Sequence, residues 1–188
     1  MLQRIYKINM IDWHTHSLRR NAVVDIDPTG IDAAGIRKIM PLHKGYMYSV
    51  GIHPWNADKI TLPDLLEVRA LAAEPDVVAI GEVGLDTTKG DPSDLEKQID
   101  ILKYHVKISE ELRKPLTLHI VKRFPEIIKL KKELKPTQRW IIHGFRGKPE
   151  LAKELLRHGF YLSFGKKYNP ESYALTPPEK RHTETDDN

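Results

Sequence analysis

The chain of 188 residues contains no cysteine. A disulfide framework, a CxxC redox pair and a cysteine nucleophile are excluded together, although that absence does not fix the compartment. It also lacks any apolar run of the roughly 18 residues that a membrane helix needs. Residues 1–12 carry Arg4 and Lys7 and no sustained apolar stretch, so neither a signal peptide nor a membrane span is read, and a cytoplasmic location is expected. A strong excess of one charge is missing as well. The 30 Lys and Arg against 26 Asp and Glu give a formal +4, which allows a polyanionic partner without requiring one. The densest basic run, Lys129 to Lys135, spaces its leucines helically and reads as a solvated helix face rather than a phosphate track. No repeat or low-complexity segment occurs. A chain of this size buries a core without a covalent or metal staple and reads as a single domain over 1–188. It is short for a full parallel barrel, which takes roughly 250 residues and rarely fewer than about 200.

What is present is an alternation of short apolar runs and amphipathic stretches, the pattern of an α/β protein with a parallel sheet. Strands are predicted at Ile8 to His16, Ala22 to Ile26, Met47 to His53, Val77 to Glu82, Leu116 to Ile120, Trp140 to His143 and Phe160 to Phe164, with a weaker candidate at Thr183 to Asp186. A helix is predicted over Ser93 to Leu112, where Ser93 and Glu96 form a capping box and Leu95, Ile99, Leu102 and Val106 share a face. Further helices fit Leu62 to Ala73, Pro125 to Leu134 and Pro149 to His158, the last opened by a proline and stopped by Gly159. Residues 17–45 are too punctuated by proline and glycine for a long crossover helix, and after residue 165 no apolar periodicity returns.

Candidate chemistry sits at the ends of these strands, where parallel α/β folds place their sites. His14 and His16 alternate on one side of the first strand and can grip one cation, or form an ordinary hydrogen-bonded pair. Glu82 lies between Gly81 and Gly84, which permit close backbone approach. His119 and His143 each follow an apolar run. Taken singly, each reads as a capping carboxylate or a satisfied core histidine. Together, four of the nine histidines and one glutamate terminate strands of one sheet, which points to a shared site. Neutral imidazoles with carboxylates suit zinc, manganese or a similar divalent ion. Five or six ligands exceed what one open tetrahedral centre takes, so two metals fit better, with a bridging carboxylate and a shared water deprotonated near neutral pH.

His14-Thr15-His16, Gly51-Ile52-His53-Pro54-Trp55, Gly81-Glu82-Val83-Gly84-Leu85-Asp86, Gln98, Leu118-His119, Ile142-His143-Gly144-Phe145-Arg146-Gly147 and Glu184-Thr185-Asp186 occur in the order seen in TatD-type metal-dependent hydrolases. The resemblance runs from about Ile11 to Asp187 and is greatest to the short TatD-related form with an H-I-V-K segment after the fifth strand. It implies a TIM-type (β/α) barrel, two divalent metal ions (Zn, Mg or Mn) and hydrolysis of phosphodiesters, with DNA or oligonucleotide ends as substrate and exonuclease-type cleavage. Carried over by position, His14, His16 and Asp186 hold one metal, and Glu82 bridges to a second held by His119 and His143. A bridging hydroxide attacks phosphorus, with Glu82 and Asp186 as the catalytic groups. His53, Arg146 and Lys122 are the implied substrate contacts; Lys122 stands where relatives place an arginine and offers a point charge instead of a bidentate fork.

The final strand departs from that pattern. Pro177 to Asp186 is polar where a barrel strand is usually apolar, and the sequence stops at Asn188, where relatives continue. The sequence therefore predicts a barrel incomplete at its C-terminal end, with 166–188 irregular and mobile and Asp186 poorly anchored. Two alternatives stay open: a related metallohydrolase acting on a small-molecule ester or amide, and a truncated, catalytically impaired scaffold.

Overall fold

The computed structural model describes residues 11–40, 45–89 and 94–186. Eight parallel strands form a closed barrel in sequence order. They are β1 (Asp12–Thr15), β2 (Ala22–Ile26), β3 (Met47–Val50), β4 (Val77–Asp86), β5 (Leu116–Val121), β6 (Trp140–Ile142), β7 (Tyr161–Phe164) and β8 (Arg181–Thr183). The helices are α1 (Ala33–Ile39), α2 (Leu62–Ala72), α3 (Leu95–Leu112), α4 (Phe124–Leu134), α5 (Pro149–Arg157) and α6 (Pro170–Leu175). Two of the predicted features, strand residues 8–10 and the Ser93–Glu96 capping box, lie outside the described residues.

The expected trimming of the first connections is present: residues 16–21 join β1 to β2 without a helix, and seven-residue α1 serves the next crossover. Alternation divides the core in two. Val24, Ile80, Trp140 and Ile142 pack with the helices, whereas Trp13, Val23, Ala79 and Ile141 form a separate cluster inside the barrel. On α3 the buried stripe is wider than the apolar periodicity implies, because Gln98, His105 and Ser109 are buried with Ile101, Leu102, Val106 and Ile108.

The C-terminal segment differs most from expectation. Beyond residue 165 the chain forms α6, a 3₁₀ turn at Pro178–Lys180 and β8, and β8 pairs with both β7 and β1, so no gap is found among the described residues. Polar and aromatic contacts replace the missing aliphatic anchor. The His182 ring lies 4.5 Å from that of Trp13, and the Arg181 guanidinium 4.2 Å from the Tyr173 ring. Asp12 accepts hydrogen bonds from the Thr185 N–H at 3.0 Å and the Thr185 hydroxyl at 2.8 Å, and Arg19 contacts both residues. The strand expected at Thr183 to Asp186 ends at Thr183, so Glu184 to Asp186 emerge from its C-terminal end.

Two packing details fix the geometry where β4 meets β5 and α3. At Gly84 a Cβ atom would stand 1.8 Å from the His119 carbonyl oxygen, so only glycine permits this approach. Buried His105 accepts the Ile52 N–H at Nε2 (3.2 Å) and donates from Nδ1 to the Ile101 carbonyl (2.8 Å), which sets its tautomer. Burial pushes the His105 pKa down to about 4. Its folded value thus lies below the unfolded one of about 6.5, and the stability it supports is present above that value and is lost as pH falls toward 4. We expect urea unfolding of wild type to lose up to about 3 kcal/mol through this group over that interval, and His105→Ala to be about 2–4 kcal/mol less stable at pH 7 with a flatter pH response. An unchanged slope in the variant would remove His105 from this role. Gly84→Ala is expected to destabilise by about 1–3 kcal/mol, read from the same denaturation curves.

Candidate metal centre

The barrel brings the strand-end residues to one place. His14, Glu82 and His119 lie inside β1, β4 and β5, while His16 and His143 follow the last residues of β1 and β6. Glu82 was expected to end its strand; β4 instead continues to Asp86, because Leu85 and Asp86 keep pairing with Ile120 and Val121 of β5. The Glu82 carboxylate is nearly fully buried and faces four imidazoles. Its Oε2 lies 3.2 Å from His14 Nε2, and its Oε1 lies 2.5 Å from His119 Nδ1, 2.7 Å from His143 Nε2 and 3.4 Å from His53 Nε2. On the other side of His14, Asp186 Oδ1 stands 3.9 Å from both His14 Nε2 and His16 Nε2. Asp186 is held by its own N–H, which donates to the His14 carbonyl at 3.1 Å.

His53 belongs to this cluster rather than standing apart from it. It caps the 3₁₀ turn Pro54–Asn56 by accepting the Trp55 N–H at Nδ1, leaving Nε2 to face Glu82. Arg146 and Lys122 are exposed and do not line the cavity of about 330 Å³ that contains the cluster.

Four groups that the sequence reading did not assign are in contact with it. Asp86 Oδ2 accepts from His119 Nε2 at 3.0 Å and from the Trp55 indole N–H at 2.9 Å, so the His119 ring is oriented from behind. Asp25 accepts the Glu82 N–H at 2.6 Å and the Ser49 hydroxyl at 2.8 Å. Asp27 accepts the His53 N–H and the Asn56 amide, both at 2.9 Å. Glu184 is buried, accepts the Gly144 N–H at 2.6 Å and lies 3.5 Å from His143 Nδ1. The signal was period-two spacing: Asp25 and Asp27 close an apolar strand just as His14 and His16 do, Glu184 is two residues before Asp186, and Asp86 is four after Glu82.

The electrostatics follow from this crowding. Burial alone would raise the Glu82 pKa, but His143 and the hydrogen bonds from His119 and His14 overcome it and hold the carboxyl well below its usual range. Burial also opposes charge on His143, yet Glu82 and Glu184 lift its pKa well above the ordinary histidine value. His14 is pushed down by burial and by His143 and is raised on balance by Glu82. Asp25 moves up, chiefly through burial.

The donor set fits divalent ions. His14, His16 and Asp186 offer ligand atoms within 4.8 Å of one another, as do His14, Glu82 and His143, and as do His53, Glu82 and His119. His14 Nδ1 and Glu184 Oε2 are buried and have no hydrogen-bond partner among the described residues. Carboxylates that draw positive charge onto surrounding imidazoles offer the same field to a cation. No described helix is long and apolar enough to cross a membrane.

Comparison with known proteins agrees with the architecture. The chain is 32% identical over 141 residues to the uncharacterized metal-dependent hydrolase YabD of Bacillus subtilis, covering 72% of this chain and 54% of that protein. It is 31% identical over 186 residues to the putative deoxyribonuclease tatdn3 of Danio rerio, covering 82% of this chain and 68% of the relative. The crystal structure of YJJV, a TatD homolog from Escherichia coli, superposes with a TM-score of 0.81 at 22% identity, covering 96% of this chain and 80% of that one, and shows the same fold. The chain spans about half the length of YabD. The profile of the family described as TatD related DNase matches residues 10–187, and the chain belongs to that family.

Proposed function

We propose that this chain hydrolyses phosphodiester bonds as a deoxyribonuclease of exonuclease type, with two divalent metal ions at the Glu82 cluster. The observation that carries the reading is the division of one buried carboxylate between two donor groups: Glu82 Oε2 faces His14, beside His16 and Asp186, and Oε1 faces His119 and His143. In this reading His14, His16 and Asp186 would hold one ion and His119 and His143 the other, with Glu82 available to both. Bound divalent ions would supply Lewis acidity and an acidified water for attack on phosphorus.

The chain's own residues do the rest. Asp186, which lines the cavity, would take the proton from the attacking water and return it to the ester oxygen that leaves as its bond to phosphorus breaks. Asp25 holds the Glu82 main chain and Asp86 holds the His119 ring, so both ligands are fixed before substrate arrives. Substrate enters through a face that carries exposed cations: Lys89, Lys122, Arg146, Lys148, Lys166 and Lys167 all lie in segments that follow the C-terminal ends of strands. Arg146 and Lys122 are assigned to this rim, where they would meet the phosphates of an approaching polyanion. A cavity of about 330 Å³ suits the end of a strand better than continuous duplex.

The test is metal analysis beside a nuclease assay on single-stranded DNA. Wild type is expected to carry two metal equivalents and to lose activity on chelation, with recovery on adding back Mn²⁺ or Zn²⁺. Glu82→Gln is expected to lose at least about a hundredfold in rate and to retain less metal. A protein that takes up no metal, or a Glu82→Gln variant as active as wild type, overturns the proposal. Turnover of bis(p-nitrophenyl) phosphate with none of DNA would move the substrate to small esters.

A further inference from the structure

Trp55 is large, aromatic and 38% exposed, while the other two tryptophans, Trp13 and Trp140, are 6% and 0% exposed. Polar contacts along its edge help to fix Trp55. Its N–H is capped by His53 Nδ1 at 3.2 Å, and its indole N–H donates to Asp86 at 2.9 Å. The turn that carries it is clasped by buried Gln98, which donates to the carbonyls of Pro54 at 3.1 Å and Asp86 at 2.8 Å.

The indole is also a wall shared by two cavities. One is the Glu82 cavity, where the Trp55 ring centroid lies 4.7 Å from that of His53 and 5.9 Å from that of His119. The other, of about 340 Å³, is lined by Trp55 together with Lys59 and Lys89. Its carboxylates are Asp58 and Asp94, and Asp94 pairs with Lys97 at 3.4 Å. On the indole face the Lys89 ammonium lies 3.5 Å from the ring centroid, a contact that is weak at an exposed site.

Resting on the phosphodiesterase reading, we propose that Trp55 is a stacking platform for the nucleobase adjoining the scissile phosphate, with Lys59 and Lys89 receiving the next phosphate in the second cavity. A base sliding onto the indole displaces the Lys89 ammonium toward that phosphate, so the cation is exchanged for stacking and an ion pair. Because every base has a π face, the platform is tolerant of sequence and selects nucleic acid over a bare phosphoester. The edge-on hydrogen bonds hold the ring in place beforehand, so little ordering is required on binding.

Tryptophan fluorescence gives a readout independent of turnover, since of the three tryptophans Trp55 alone is open to an external quencher. A short phosphorothioate oligothymidylate, resistant to cleavage, is expected to quench the wild-type holoenzyme, and an abasic oligomer with the same number of phosphates is not. In steady-state assays, Trp55→Leu is expected to lower the ratio of kcat/KM on oligothymidylate to that on bis(p-nitrophenyl) phosphate roughly tenfold, mainly through KM, whereas Trp55→Phe restores most of the ratio. The Phe variant keeps an aromatic face and lacks the indole N–H, so a role exerted only through Asp86 would impair both variants and both substrates alike. Equal quenching by the abasic oligomer, or an unchanged ratio in Trp55→Leu, overturns the platform. Should wild type cleave neither substrate, the hydrolase reading falls and the quenching comparison alone decides for or against stacking.

Discussion

The structure is arranged around one buried carboxylate. Glu82 is nearly out of reach of solvent and ionised, a state that persists only because imidazoles from four other places in the chain converge on it. Two come from β1 and β5, one from the end of β6 and one from the turn after β3. A barrel is suited to this task, since its strands deliver side chains to one rim from every direction while helices cover the outside. Without that convergence, each imidazole would be an ordinary buried base and Glu82 an uncompensated charge.

Around the centre stands a ring of carboxylates whose work is mechanical. Asp86 sets the His119 ring, Asp25 the Glu82 backbone, Asp27 the His53 backbone, and Glu184 accepts from Gly144 beside His143. Farther out, Gln98 and His105 project from α3 and pin the same loops from behind. Precision at the site thus depends on buried polar groups that satisfy one another, a design that tolerates little substitution because any partner left alone is costly.

Much of the fold was legible because the strands carry their pattern locally. Ala22 to Ile26 coincides with β2, and Val77 onward and Leu116 onward start as predicted, since apolar continuity between turn residues is enough to mark a buried parallel strand. Five candidate ligands, His14, His16, Glu82, His119 and His143, could be singled out by position on those strands, and Asp186 by the family resemblance alone; the structure brings the six side chains together. The supporting groups were less visible. Gln98 and His105 occupy a helix face that periodicity assigns to apolar residues, and Asp25 and Asp27 act through main-chain N–H groups, a partnership that sequence spacing does not display. The C-terminal segment misled for a related reason: its order comes from Trp13, Tyr173 and Asp12, partners distant in sequence, rather than from apolar residues of its own.

The clasp between Asp12 and Thr185 has a consequence beyond holding two strands side by side. It lies at the seam where the first and last strands meet, and the residues on either side of Thr185 are Glu184 and Asp186, both turned toward the histidine cluster. Closure of the barrel and completion of the site are therefore one event. Whatever occupies the cluster and draws on Asp186 will tighten the seam by the same free energy with which a closed seam improves its binding. The ligand acts as a fastener for the fold, and the fold acts as a gate on the ligand.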